Sequence, residues 1–346
     1  MSEYSPAPPP PPPGSYGQPA RKPSRVWFFL AIFLALGLGL SMFLNLVLVV
    51  AVGGKDDLRG LKGFTATVVD GEKDEEDFIA IVPVQGMIME PPSDNPGKGS
   101  LGSMVKLLKQ LSKNEHLKGI LLVVDSPGGG VTASDRMYEE LKHFKDEKKI
   151  PVVAVFEDVA ASGGYYVAMA SDHIMAHPTT ITGSIGVISH FFDFSELMGK
   201  LGVQENTIKS LNWEGKESFK DIGSPYRKMR PEERKLMQAM ITEMWERFTS
   251  VVAEGRKGKL TLEEVRKLAD GRVFSGGAAL KAKLVDSVGY TRDAYKEIRT
   301  RCGNPKAKIV RYLPEKSWED LFGAQSLAPK IELPVSSGVF YLWEPH

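Results

Sequence analysis

The chain has 346 residues, with 44 lysines and arginines against 43 aspartates and glutamates, for a net charge of +1. At 25 % charged and 42 % hydrophobic it has an ordinary globular composition, enough for one large domain or two small ones. No basic block or aromatic–basic interleaving points to nucleic acid, and the single cysteine, Cys302, excludes an internal disulfide and a cysteine metal cluster.

Residues 1–25 are rich in Pro, Gly and Ser, with an unbroken run from Pro8 to Pro13. Such a run favours extended polyproline II and builds no core, so this segment reads as a disordered tail. Residues 26–54, Val26 to Gly54, carry no charge and are long enough to cross the ~30 Å hydrocarbon layer. Arg21, Lys22 and Arg25 precede the span, whereas Lys55 and Arg59 after it are mixed with Asp56 and Asp57, which predicts a cytoplasmic N-terminus. Ala51-Val52-Gly53 offers a small-x-small cleavage site, but the apolar run is longer than a signal h-region and is read as an uncleaved anchor. Asn45 within it is expected to make a helix–helix or interfacial contact. Residues 55–77 read as a polar, acidic linker, with Glu72–Asp77 as a solvated cluster that lacks the spacing of a metal loop.

The soluble domain is expected over 78–320. Phe78–Val84 reads as a strand, with Pro83 marking an edge or an end. Met104, Leu107, Leu108 and Leu111 have helical spacing. Gly119–Asp125 is a buried strand ending in Ser126-Pro127-Gly128-Gly129-Gly130, followed by a helix over Ser134–Phe144. Val152–Phe156 is a further strand. It leads to Ala160-Ala161-Ser162-Gly163-Gly164-Tyr165-Tyr166 and a helix over Val167–Ala170. Ile174–Ala176 is a strand leading to Thr182-Gly183-Ser184-Ile185-Gly186-Val187-Ile188. Alternating strands and helices imply α/β layers with a parallel sheet. Pro231–Glu254 is a long amphipathic helix with Leu236, Met240, Met244, Phe248 and Val251 on one face. Leu260–Ala269 is a second, opened by a Thr261/Glu264 capping box, and 269–286 reads as strand–helix–strand. Residues 321–346 form a tail tipped by Phe340-Tyr341-Leu342-Trp343.

Ser162, flanked by small residues at a strand-to-helix turn, has an unhindered hydroxyl and is the candidate nucleophile. The Gly163 amide and one in the triple-glycine turn are candidate oxyanion donors, because a turn without Cβ atoms admits a bound carbonyl closely. That turn lacks the Gly-Lys-Ser/Thr ending of a phosphate loop. For a base, His173, His177 and His190 follow Ser162, but no Asp or Glu is placed to orient any of them. Lys220 is the other candidate. An ordinary lysine is neutral only about once in 2,500 at pH 7, so a lysine base needs ~4 kcal/mol of differential interaction from a desolvating pocket. Asp221 beside it is a caution, since a carboxylate facing the amine would hold its proton. Ser184 is placed to hydrogen-bond and orient a neutral amine. Cys302, in a helix-end and turn context, is not read as catalytic.

Asp125-Ser126-Pro127-Gly128-Gly129-Gly130, Ala161-Ser162-Gly163-Gly164-Tyr165-Tyr166, Thr182-Gly183-Ser184-Ile185-Gly186-Val187, Lys220-Asp221-Ile222-Gly223-Ser224-Pro225 and Asp270-Gly271-Arg272-Val273-Phe274 follow one another in order. Together, over roughly residues 78–312, they resemble the signal peptide peptidase A family of membrane-anchored bacterial serine–lysine peptidases. The resemblance implies an α/β fold of the ClpP/crotonase type, a spiral of ββα units preceded here by one transmembrane helix. It implies Ser162 as nucleophile, Lys220 as general base, Ser184 as the residue that orients the lysine, and the Gly129 and Gly163 amides as the oxyanion hole. Lys209 and Lys216 are rivals for the base, because the stretch before Lys220 is long. It further implies a homo-oligomer whose dyad is completed between protomers, anchored in the bacterial cytoplasmic membrane with the catalytic domain outside. That enzyme would cut signal-peptide remnants and other extended apolar peptides, with no metal or nucleotide cofactor. The competing readings are a crotonase-fold acyl-CoA enzyme, which would need a Glu acid/base and a basic phosphate site, and a non-catalytic membrane scaffold.

Overall fold

The computed structural model describes residues 25–52, 61–90, 99–314 and 340–342. The Pro-rich segment and most of the C-terminal tail lie outside these residues. The chain divides into two units at Arg59/Gly60.

The first unit contributes one helix, α1 (Arg25–Val52), whose stretch Val26–Asn45 is long and apolar enough to cross a membrane. The Asn45 amide donates to the Ser41 carbonyl at 2.8 Å, one turn back. One of its two N–H groups is thus met within its own helix, as a polar side chain in an apolar span requires.

The second unit runs through β1 (Phe64–Asp70), β2 (Phe78–Gln85), α2 (Gly99–Leu111), β3 (Leu117–Ser126), β4 (Gly128–Gly130), α3 (Val131–Lys148), β5 (Val152–Ala161), α4 (Gly163–Ala168), β6 (His173–Ala176) and β7 (Ile181–Gly183). It continues through α5 (Ser195–Lys200), α6 (Pro231–Gly255), α7 (Leu262–Leu268), β8 (Val273–Ser275), α8 (Gly276–Lys281), β9 (Ser287–Val288), α9 (Thr291–Cys302), β10 (Lys308–Pro314) and β11 (Phe340–Leu342). The main sheet has the order β1-β10-β2-β3-β5-β6-β9. All its neighbours are parallel except β1, which closes the edge antiparallel to β10. β3 is followed by the short strand β4 and a helix, and β6 by the short strand β7, giving the repeated ββα units of a ClpP-like α/β fold.

The parallel order explains the sequence. Strands covered on both faces read as continuous apolar runs, and β3 is buried along nearly all its length. Ile79, Ile81, Leu121, Val123, Val153 and Val155 form one face, packed against Ala294 and Ile298 of α9. α3 buries Ala133, Met137, Tyr138, Leu141 and Phe144, the 3–4 spacing of a helix facing a core. Each such aliphatic side chain contributes roughly 1.5–3 kcal/mol on burial.

Three expectations change. Residues 64–70, read as linker, form β1; their Phe-Thr-Ala-Thr-Val-Val pattern alternates across the sheet edge and pairs with β10. Pro83 sits in an interior strand. Pairing with β10 stops at Ile81, however, so the missing proline N–H leaves no ladder bond unfilled on that side. The helix after Ser162 begins at Gly163 and ends at Ala168, earlier than Val167–Ala170. α6 runs as expected, but Leu236 and Met240 in its first half are 45 % and 41 % exposed, while Phe248 and Val251 in its second half are buried.

Candidate active site

β5 is the element that places Ser162. Its first half pairs with β3 and β6, and its last residues turn to pair with β7, Ala161 opposite Gly183. The Ser162 amide donates to the Gly183 carbonyl at 2.8 Å. The chain then reverses directly into α4, which forces Ser162 to φ 52°, ψ −117°. A non-glycine residue there stores about 1–3 kcal/mol of strain that the surrounding ladder must hold. The result is a hydroxyl that is buried, with Ser162 1 % exposed, and has no hydrogen-bond partner among the described residues. An orphaned buried hydroxyl costs roughly 1–3 kcal/mol, and sites of function are where such costs persist.

The triple-glycine strand lies against this turn. A Cβ built on Gly163 would sit 3.2 Å from the Gly129 nitrogen and 2.4 Å from Ser134 Oγ, so the two glycine backbones approach more closely than side chains allow. A Cβ on Gly129 would fall 2.0 Å from the Ile88 carbonyl oxygen. Ile88 donates to the Gly128 carbonyl and accepts from the Gly130 amide, both at 2.8 Å. Because successive residues of a strand point their amides to opposite sides, the Gly129 N–H and C=O face away from Ile88, toward the edge on which β11 lies. Two serines that sequence reasoning did not single out brace this strand. Ser126 Oγ donates to the Gly86 carbonyl (2.6 Å) and accepts from the Gly128 amide (3.1 Å), while Ser134 Oγ donates to the Gly130 carbonyl (2.9 Å). Their signal in the sequence is a small hydroxyl residue on each side of a glycine run. β11 pairs antiparallel with β4 along this edge, placing the Tyr341 backbone opposite Gly129.

Ser184 follows directly on the residue that bonds Ser162. It is nearly buried, at φ 48°, and its amide donates to the Arg272 carbonyl at 2.9 Å. Gly183 is obligatory there: φ is +85° and a Cβ would meet the Phe274 ring at 2.6 Å. β8 pairs with β7, Thr182 opposite Phe274, so the Asp270–Phe274 motif is the wall that holds the Ser184 turn.

The base candidates separate. His173 Nε2 lies 2.8 Å from Ser287 Oγ and His177 Nε2 lies 3.2 Å from Thr291 Oγ1, so both imidazoles are committed to the β9–α9 side. Lys209 is paired with Asp221 (2.7 Å) and Glu217 (3.1 Å), and its hydrogen bond to Asp221 raises its proton affinity, the wrong direction for a base. Lys216 is an exposed partner of Glu214. Lys220 is exposed in the single chain and enters none of the ion pairs of its segment. The structure therefore brings Ser162, Gly129, Gly163 and Ser184 into one region, and among the described residues of one chain no base meets the Ser162 hydroxyl.

The segment around Lys220 also exposes apolar residues: Ile208 is 99 % and Trp213 91 % exposed, and the exposed rings of Phe192 and Phe194 stack at 6.0 Å.

Comparison with known proteins gives a consistent picture. The profile of peptidase family S49 matches residues 144–303, and that of the Clp protease family matches residues 95–182; both include Ser162. A candidate protease of Methanocaldococcus jannaschii is 41 % identical over 63 % of this chain and 67 % of its own length. A candidate signal peptide peptidase A of Enterococcus faecium is 38 % identical over 59 % of this chain and 57 % of its own. A chloroplast serine protease, SPPA, of Arabidopsis thaliana is 33 % identical over 72 % of this chain and 36 % of its own, so the chain spans only part of the latter two relatives.

Proposed function

Because the chain belongs to peptidase family S49, the family of signal peptide peptidase A, and is a serine peptidase, we propose that it hydrolyses extended peptides with Ser162 as nucleophile and Lys220 as general base. The observation that carries this reading is the buried, strained and partnerless hydroxyl of Ser162 beside the glycine backbones of Gly163 and Gly129.

The neutral Lys220 amine takes the Ser162 proton as Oγ attacks the scissile carbonyl carbon. The carbonyl oxygen becomes an oxyanion held by the Gly129 and Gly163 amides, which are fixed before the reaction and need no reorganisation. The tetrahedral intermediate collapses, the C–N bond breaks, and the Lys220 ammonium gives its proton to the leaving amine. Water, activated by the same amine, then attacks the acyl-enzyme and releases Ser162. Ser184 Oγ accepts an N–H from the amine and from the ammonium alike, which leaves the amine lone pair aimed at the Ser162 hydroxyl.

Lys220 reaches Ser162 from a second copy of the chain. In one chain Lys220 is exposed and Ser162 lacks a base, and the same segment presents Ile208, Trp213, Phe192 and Phe194 to solvent. A monomer in water does not keep such a surface, and covering it with a neighbour also desolvates the lysine. Substrates bind as an extended strand on the edge of β4 that the chain's own Phe340–Leu342 segment occupies, displacing that segment. Signal-peptide remnants and similar apolar peptides fit that mode. α1 anchors the enzyme in the bacterial cytoplasmic membrane, with the N-terminus cytoplasmic and the peptidase domain on the outer face, as the flanking basic residues indicate.

The test uses the full chain in detergent. Ser162→Ala and Lys220→Ala each abolish peptide hydrolysis without lowering the melting temperature, and co-assembling the two inactive variants restores a fraction of the wild-type rate. Full activity in Ser162→Ala removes the nucleophile assignment; two inactive variants that never complement each other remove the shared dyad.

A further inference from the structure

The residues around Lys220 are tied into a compact set of charges at the start of α6. Glu233, fully buried, accepts from Arg227 Nη1 at 2.8 Å, from Arg230 Nη2 at 2.7 Å and from the Arg230 amide at 2.9 Å. Arg227 also donates through Nε to Asp221 Oδ2 at 2.7 Å, while the other oxygen, Oδ1, takes Lys209 Nζ at 2.7 Å. Glu217 pairs with Lys209 at 3.1 Å and with Arg230 at 3.8 Å, and the Arg230 guanidinium lies 5.1 Å over the Phe219 ring. Three cations, Lys209, Arg227 and Arg230, thus balance three carboxylates, Glu217, Asp221 and Glu233. The residues on either side of Lys220, Phe219 and Asp221, are both anchored to this set, and Lys220 is not part of it.

We propose that Lys209, Arg227 and Glu233 act as a charge clamp that holds the Asp221 carboxylate away from the Lys220 amine and fixes the segment that presents it. The proposal rests on Lys220 being the base. Asp221 is the adjacent residue, and a carboxylate next to an amine stabilises the ammonium form, which cannot accept the serine proton. With both Asp221 oxygens engaged, the charge nearest to Lys220 in sequence is neutralised by its own partners. The clamp stays closed over the working range because Arg227, helped by Lys209, keeps Asp221 ionised far below neutral pH, and Arg227 and Arg230 hold Glu233 down to about 2. Glu233 joins the clamp to α6 as the third helical residue, its carboxylate returning to the Arg230 amide. Lys209, Arg227 and Glu233 are therefore positioning residues for the peptidase reaction.

The decisive readout is the pH dependence of kcat/KM for Lys209→Met. Freed on one oxygen, Asp221 turns toward Lys220, and the acid limb of the profile moves up by about one pH unit, a roughly tenfold loss below neutrality with KM little changed. The double variant Lys209→Met/Asp221→Asn returns the limb to its wild-type position. Arg227→Lys, which keeps the charge but not the fork that bridges two carboxylates, shifts the limb in the same direction by less. A role in stability alone would lower kcat equally at every pH and would not be reversed by Asp221→Asn. An unmoved limb in both Lys209→Met and Arg227→Lys overturns the clamp while an inactive Lys220→Ala keeps the base assignment; an active Lys220→Ala overturns both.

Discussion

Gly129→Ala is the perturbation whose consequence the structure specifies most closely. The new Cβ would lie 2.0 Å from the Ile88 carbonyl oxygen and 2.7 Å from the Ile88 carbonyl carbon and nitrogen. All three are backbone atoms, so no rotamer change relieves the overlap. The two segments must part by about 1.4 Å to reach ordinary contact. That breaks the two hydrogen bonds between Ile88 and the glycine strand, at ~1 kcal/mol each, and moves the Gly129 amide off the proposed oxyanion position. A displaced donor costs roughly 10²–10³ in kcat, and a shift of ~1 Å in a reacting geometry costs a similar factor. We expect kcat/KM on a fluorogenic peptide to fall by about 10²–10³ and the melting temperature by roughly 4–8 °C, the latter from the ~2 kcal/mol of lost pairing. Ser162 should remain buried, so the loss lies in turnover far more than in stability. Activity within threefold of wild type, with an unchanged melt, would refute the assignment of the Gly129 amide and the constraint argued from Ile88.

Deleting residues 315–346 removes the strand that pairs with β4; KM for an extended peptide should fall, and a synthetic peptide spanning 337–346 should inhibit the truncated enzyme competitively in steady-state assays. Asp286→Ala leaves the buried Arg256 guanidinium without the carboxylate that takes it at 2.8 and 3.0 Å, and urea titration should show a loss of about 3–5 kcal/mol. Acid should unfold the domain through its clamped carboxylates. Arg227 holds Glu233 down to about 2, and Asp286 is also held low because Arg256 and Lys259 outweigh the opposing effect of burial. Groups depressed in the folded state give stability that is complete above about pH 4.5 and lost as pH falls through their folded values, so circular dichroism melts should be flat from pH 7 to 5 and drop steeply between about 4.5 and 2.

Much of the fold could be read from residue pattern because a parallel sheet buried on both faces writes itself as apolar runs, as in Gly119–Val124 and Val152–Phe156. The pattern gave out where pairing is decided by distant partners. β5 continues past Phe156 through Glu157 and Asp158 because β7 is waiting for it, and β1 exists because β10 leaves an edge to fill. The tight turn that carries Ser162 was legible, since only small residues fit around it. Its strained backbone angle and orphaned hydroxyl are tertiary facts. The choice among candidate bases was the least legible part. Three lysines lie within a dozen residues, and what separates Lys209 from Lys220 is that Asp221 and Glu217 fold back onto the former. Glu233 looks like any acidic residue in a first helical turn; its full burial under two arginines appears only when α6 meets the Lys220 segment.

In the proposed reaction an uncharged Lys220 draws the proton from Ser162. The most direct measurement is the rate and site of modification by a fluorophosphonate, followed by intact and peptide mass spectrometry on the assembled enzyme. One adduct per chain is expected on the peptide containing Ser162, formed at least a hundredfold more slowly in Lys220→Ala and at an unchanged rate in Lys216→Ala. An adduct on any other residue, or labelling of Ser162 that is indifferent to Lys220, would contradict it.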